Sequence, residues 1–298
     1  MNVKVSLSRS PADYAVNRPP IWCPGCGDYG ILEALKRALA ELGIPNEDVV
    51  VVSGIGCSSQ LPHFLKTYGI HGIHGRAVPI ATGVKIANPR LKVVVVGGDG
   101  DGYGIGLNHM IHAARRNVGI TYIVSNNQVY GLTTGQMSPT TLRGVKTKTT
   151  PFGSIDEPVN PLALALAAGT TFVARGFSGD VAHLTKILVE ALSHRGFALV
   201  DVLSPCVTFN KVNTYDWFRA RVYKLEDAGH NPADYWQAYK KALEWPSMDP
   251  NGKIPIGVFY KNDGKPTYEE EIIKQLGKPP AESRLEPEVE ALRAVFQR

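Results

Sequence analysis

The sequence predicts an α/β fold: a doubly wound, mostly parallel sheet with a C-terminal arm. Short unbroken β-branched runs recur along the chain, helical patterns alternate with them, and glycine-rich or polar turns close several of the runs. The first helix opens at Asp28. Its apolar residues Ile31, Leu32, Leu35, Leu39 and Leu42 fall at three- and four-residue steps, and Gly43 and Pro45 end it. Val49-Val50-Val51-Val52 then reads as a strand buried on both faces. Ala81 to Ala87 reads as a helix closed by Asn88-Pro89, Lys92 to Val96 as another strand, Ile105 to Arg116 as a helix and Ile120 to Val124 as a third strand. The alternation continues through a helix near Leu162 to Ala168, a strand near Thr171 to Ala174, a helix from Val181 to Ser193 and a strand at Phe197 to Leu203. Beyond Asn213 the character changes. Tryptophans and tyrosines appear, with a helix expected around Tyr235 to Leu243 and a charged helical tail after Pro287. Residues 1–212 are therefore read as the core domain and 213–298 as an extension packing on the core or on a partner.

Composition narrows the function classes. The 298 residues suit one large core, since single cores stop growing at roughly 250–300 residues. The net charge of +5 comes from dispersed basic residues, with no Lys/Arg run and no basic-aromatic interleaving, which argues against nucleic acid. The longest apolar runs fall well short of the roughly 20 residues that span a bilayer, so no membrane segment is expected. Met1 leads into a polar start with no apolar core of a secretion signal, which points to the cytoplasm. In that reducing setting Cys23, Cys26, Cys57 and Cys206 stay thiols unless they hold metal or do redox chemistry.

Two constellations carry chemistry. Gly97-Gly98-Asp99-Gly100 ends a predicted parallel strand, where glycines admit a phosphate close to the backbone and Asp99 offers a hard oxygen to Mg²⁺. Asn126-Asn127 ends the next strand, 25 residues (101–125) after Gly100, enough for one helix and one strand to bring both ends together. A dinucleotide fingerprint fails, because neither Gly98-x-Gly100 nor Gly102-x-Gly104 finds its third glycine. The other constellation is the four cysteines. Cys23-Pro24-Gly25-Cys26 alone is ambiguous between a redox dithiol and a metal site, but Cys57 and Cys206 each follow a predicted strand and bring the set to four. Four thiolates suit structural zinc or an iron–sulfur cluster, and the missing second C-x-x-C counts against a zinc ribbon. Spacing alone gives no role to the pair His71 and His74, and Arg76 could bind phosphate or pair with a carboxylate. His109 and His112 have metal-like spacing but lack a completing ligand set.

The Gly-Asp-Gly, spacer, Asn-Asn arrangement resembles the binding motif of thiamine-diphosphate enzymes, which implies that Asp99, the Asn127 side chain and the Val129 carbonyl hold Mg²⁺ against the diphosphate. A wider set resembles the β subunit of 2-oxoacid:ferredoxin oxidoreductases. It comprises Trp22-Cys23-Pro24-Gly25-Cys26-Gly27, Gly54-Ile55-Gly56-Cys57-Ser58-Ser59, His74-Gly75-Arg76-Ala77, Gly98-Asp99-Gly100-Asp101-Gly102 and the run from Asn126 to Gln136, in family order over residues 20–215. The resemblance implies that Cys23, Cys26, Cys57 and Cys206 ligate a 4Fe-4S cluster near a thiamine diphosphate lined by Ile55, Gly56, Cys57, Ser58, His74, Gly98, Asp99, Gly100, Asp101, Asn127, Gly131, Leu132 and Thr133. It implies contact of His74, and of Arg76 as a further catalytic candidate, with diphosphate or substrate, and a substrate pocket shaped by Gln60 and Leu132. The activity implied is coenzyme A-dependent oxidative decarboxylation of a 2-oxoacid, of the pyruvate or 2-oxoglutarate class, to acyl-CoA and CO₂, with one-electron transfers through the cluster to ferredoxin. The resemblance also implies that an α subunit completes the enzyme, as a heterodimer or dimer of heterodimers, and that this partner supplies an activating carboxylate for which this chain offers no candidate. The alternatives are a thiamine-dependent decarboxylase subunit without electron transfer, and a module that binds a cluster alone.

Overall fold

Residues 9–245, 251–282 and 289–297 are described by the structure, a computed structural model. Among them eight strands form one sheet: β1 (Val49–Ser53), β2 (Tyr68–His71), β3 (Lys92–Gly98), β4 (Ile120–Asn126), β5 (Phe172–Phe177), β6 (Ala198–Leu203), β7 (Val222–Lys224) and β8 (Ile254–Lys261). Their order is β2-β1-β3-β4-β6-β5-β8-β7; the first six run parallel, and β8 joins β5 antiparallel.

The valine runs explain the layers. Successive strand side chains alternate faces, so Val49 and Val51 of β1 with Val94 and Val96 of β3 enter one core, while Val50, Val52, Val93 and Val95 enter the other. Helices α1 (Asp28–Glu41) and α5 (Val181–Ser193) cover the first face through Ile31, Leu35, Leu39, Leu184 and Leu188. The opposite face takes α2 (Ala77–Ala87), α3 (Leu107–Arg116), α4 (Pro161–Ala167) and, after the short α6 (Tyr215–Arg219), α7 (Tyr235–Ala242). Burying each such valine contributes roughly 1.5–3 kcal/mol, so both faces must be covered for the strands to persist.

Several elements differ from expectation. The helix after the glycine-rich loop begins at Leu107, because Gly100–Ile105 winds instead as a π-helical turn broken at Gly104. The helix placed at Ala81 starts one turn earlier, at Ala77. Strands β2, β7 and β8 and helix α8 (Tyr268–Leu276) carry no clear period in the sequence. The arm extends the sheet with β7 and β8, and Arg195 Nε and Nη2 grip Glu270 of α8 at 2.6 Å each. The expected tail is helix α9 (Val289–Phe296), while 283–288 lie outside the described residues. None of the described helices is long and apolar enough to cross a membrane.

Candidate functional site

Strands β1, β3, β4 and β6 are neighbours, and their carboxyl ends carry the loops with Cys57, Asp99, Asn127 and Cys206. The metal-type residues thus come from the two central strands and two of the cysteines from the flanking ones. This is the edge where parallel sheets bind ligands. A cavity of about 320 Å³ opens there, lined by Ile55, Gly56, Cys57, Ser58, His74 and Gly98 on one side. Asp99, Gly100, Asp101, Asn127, Val129 and Gly131 to Thr133 line the rest, with Tyr130, which stood within the run from Asn126 to Gln136 without a role of its own.

Asp99 caps this loop almost wholly buried. Its Oδ2 accepts from Ser138 Oγ at 2.5 Å and Thr140 Oγ1 at 2.6 Å, while its Oδ1 is buried with no hydrogen-bond partner among the described residues. Burial pushes the carboxyl up to about 6, against the pull of those two hydroxyls. One saturated and one orphaned oxygen is the state expected of a carboxylate that takes a cation. Opposite, Asn127 Oδ1 accepts from Val129 N at 3.0 Å, a turn made possible by the left-handed backbone of Gln128 (φ 59°), and the amide oxygen keeps a lone pair for a further bond. The donor set fits a magnesium diphosphate.

Asp101 has a different place from Asp99. Its Oδ1 accepts from Gly75 N at 2.7 Å, Ile55 N at 2.9 Å and His74 Nδ1 at 3.0 Å, tying three loops together. His74 lines the cavity, and with Nδ1 on Asp101 its Nε2 is the ring nitrogen left to meet a ligand. Arg76 lies behind, donating to the His74 carbonyl at 3.2 Å, and is not among the cavity-lining residues. Gln60 and Leu132 are not brought together: Leu132 lines the cavity, whereas Gln60 lines a separate recess of about 240 Å³ with Arg18, Ile21, His63, Phe64 and His71. His71 pairs with His63 at 2.9 Å, and His112 accepts from Arg115 at 3.0 Å, so neither joins the site.

None of the four cysteines is joined in a disulfide. Gly27 N donates to Pro205 O at 3.1 Å, which pins the Cys23–Cys26 turn against the loop holding Cys206. A side chain at Gly27 would strike Ser204 Oγ at 2.2 Å, so this approach requires glycine. Burial first, and then the buried carboxyl of Asp28, hold two thiols above the ordinary range: Cys57 up to about 11 and Cys26 further still. Cys26 Sγ donates to Asp28 Oδ2 at 3.5 Å, and Ser125 Oγ donates to Asp28 Oδ1 at 2.7 Å. Cys57 also feels Cys206 and Cys23, and Cys26 feels Cys206, so the four share one neighbourhood. Among the described residues, no three His, Cys, Asp or Glu close on a single metal ion. Trp22 Nε1 braces the Cys57 carbonyl at 2.7 Å. Ser138 and Thr140 had no sequence signal, being hydroxyls in an irregular loop; Trp22 and Asp28 stood within or beside quoted motifs, without a role.

Residues 40–202 match the family described as thiamine pyrophosphate enzyme, C-terminal TPP binding domain, and 206–276 match the C-terminal family of the pyruvate ferredoxin oxidoreductase beta subunit. The β subunit of 2-oxoacid:ferredoxin oxidoreductase 1 from Aeropyrum pernix is 49% identical over 278 residues, covering 90% of this chain and 86% of that protein. The chain belongs to the β-subunit family of 2-oxoacid:ferredoxin oxidoreductases. Within this oxidoreductase family, the β subunit from Saccharolobus solfataricus is 47% identical over 89% of the chain and 90% of its own length. A solved structure of 2-oxoglutarate:ferredoxin oxidoreductase from Magnetococcus marinus, with 2-oxoglutarate, coenzyme A and succinyl-CoA bound, superposes with a TM-score of 0.87 at 42% identity, covering 96% of this chain and 95% of that one. The chain is thus an enzyme subunit with the thiamine-diphosphate-enzyme fold.

Proposed function

We propose that this β subunit holds thiamine diphosphate with Mg²⁺ and a 4Fe-4S cluster side by side, and with an α subunit oxidatively decarboxylates a 2-oxoacid to its acyl-CoA, passing electrons to ferredoxin. Gly131 carries the proposal. It lines the cavity, and a Cβ built on it lies 3.6 Å from Cys206 Sγ and 3.7 Å from Cys57 Sγ, so cavity and thiols share a wall. Thiamine diphosphate supplies electron-sink chemistry for losing CO₂ from a 2-oxoacid, and the cluster takes electrons singly.

The chain's own residues bind and orient. Asp99 Oδ1, the Asn127 amide oxygen and the Val129 carbonyl hold the cation, and the glycine-flanked loop admits the diphosphate. His74, fixed through Nδ1 by Asp101, offers Nε2 to diphosphate or substrate, with Arg76 holding its backbone. Cys23, Cys26, Cys57 and Cys206 ligate the cluster. The carboxylates lining the cavity are Asp99 and Asp101, and both are committed elsewhere, so the carboxylate that moves protons on the aminopyrimidine comes from the α subunit. Leu132 lies about half exposed at the cavity, where it shapes the substrate side, while Gln60 lines a separate recess and reaches no part of it. The core domain 1–212 carries both groups, and 213–298 buttresses it.

Anaerobic purification with the α subunit, followed by iron, sulfide and thiamine analysis, tests this. Near-stoichiometric amounts of all three are expected. Thiamine without iron selects the simple decarboxylase, and iron without thiamine selects the electron-transfer module.

A further inference from the structure

We infer that Asp201, held by Arg175, is a positioning residue for the carboxylate of Asp99, acting through Asn126 and Thr140. The inference rests on the reading of Asp99 as the magnesium ligand. Asn126 adjoins Asn127 in sequence, yet it is completely buried and does not line the cavity. Its Nδ2 donates to Asp201 Oδ1 at 3.0 Å. An ionised carboxylate only accepts, so the amide nitrogen must face it and the amide oxygen must point the other way. That oxygen meets Thr140 Oγ1 at 2.8 Å, and the same hydroxyl stands 2.6 Å from Asp99 Oδ2. Thr140 has one hydrogen, which these two acceptors share, so the position of the Asn126 oxygen sets how much of that hydrogen Asp99 receives. With Ser138 it fixes Asp99 Oδ2 and leaves Oδ1 to the cation.

The far end is anchored equally firmly. Asp201 Oδ2 accepts from Arg175 Nε at 3.2 Å, and its Oδ1 also accepts from Tyr103 Oη at 3.0 Å. Arg175, Asp201 and Asn126 have no exposed surface. The Arg175 guanidinium lies 4.5 Å from the Trp245 ring and 5.4 Å from the Phe259 ring, so the arm closes over the pair. A buried ion pair is a poor source of net stability but a good source of fixed orientation. Here what it orients is one amide. Thr140, bonded directly to the ligand, is a partner of the kind that typically governs metal affinity by about 10–100-fold, and Asn126 and Asp201 act through it.

The test is magnesium affinity, measured by calorimetry on the α-containing complex stripped with EDTA and saturated with thiamine diphosphate. Asn126→Asp sets two carboxylates against each other and is expected to weaken Mg²⁺ by about 10–100-fold. Asp201→Asn alone frees the amide to turn and weakens Mg²⁺ less. The double variant N126D/D201N restores donor and acceptor between positions 126 and 201, with the Tyr103 hydroxyl turning from donor to acceptor, and keeps the wild-type net charge; its affinity should return to within about threefold of wild type, a non-additivity that only coupled residues show. A double variant as weak as the worse single, or singles indistinguishable from wild type, overturns the inference. Should Asn126→Asp not fold, Thr140→Val serves: it leaves the Asn126–Asp201 bond in place, and undiminished Mg²⁺ affinity at an unchanged melting temperature is the overturning result. Asp99→Ala is the control, since undiminished Mg²⁺ affinity in that variant would break the cofactor reading itself rather than this inference.

Discussion

Around Asp99 the chain supplies its own hydrogen-bond partners, whereas around Cys26 and Cys57 it places burial and a buried carboxyl, both of which resist forming thiolates. The polar half is organised before any cation arrives, with Ser138, Thr140 and Asn126 holding one carboxylate oxygen. On the proposed reading the thiol half is completed by a metal cluster, because nearby metal charge reverses the cost of ionising buried thiols. One side would then be pre-formed by folding and the other by metal loading.

Four variants or conditions sharpen or break that contrast. Cys26→Ala has the largest expected effect: cluster iron and sulfide are lost altogether, while thiamine diphosphate binding survives within a few-fold. Loss of thiamine binding in the same variant would show that the halves form together. Asp99→Ala comes next and does the reverse, weakening Mg²⁺ by more than about 100-fold, beyond what an outer partner costs, with the cluster spectrum intact.

The pH dependence is smaller and runs through Asp99, whose carboxyl sits at about 6. Protons compete with Mg²⁺ for it, so affinity should be flat above about pH 7 and fall roughly tenfold per unit below about 6. On folding without metal the sign is opposite. The folded carboxyl keeps its proton more tightly than the ordinary value of 3.8, so that contribution is full below 3.8 and is lost as pH rises through about 6. A magnesium titration across pH 5–8 checks the first and thermal melts of the stripped protein the other. Trp22→Phe is the mildest change, removing one bond to the Cys57 carbonyl for about 1 kcal/mol, read as a small drop in melting temperature.

The legibility of the chain follows the same division. Strands β1, β3, β4 and β6 were readable because burial on both faces demands nearly continuous apolar runs. Edge strand β2, Tyr68–His71, is largely exposed and so free of that demand. Strand β8 contains Pro255 and Gly257 and meets β5 across an irregular register, which erased its period. Within the site, Asp99, Asn127 and the cysteines were legible because their chemistry fixes residue type at a strand end. Asp101 was legible as a neighbour but not as the clamp on His74, since three loops meet on it only in space. Thr140 and Asp201 were illegible, because Thr140 lies in an irregular loop and Asp201 reads as a single polar break in a strand.

The central claim is that the two halves work as one unit, and cluster reduction by substrate tests it most directly. The α-containing complex, prepared anaerobically, receives a 2-oxoacid without ferredoxin and is frozen for electron paramagnetic resonance. The account predicts a reduced-cluster signal in the wild type and none in Asp99→Ala at equal iron content; a signal in both, or in neither, would contradict it.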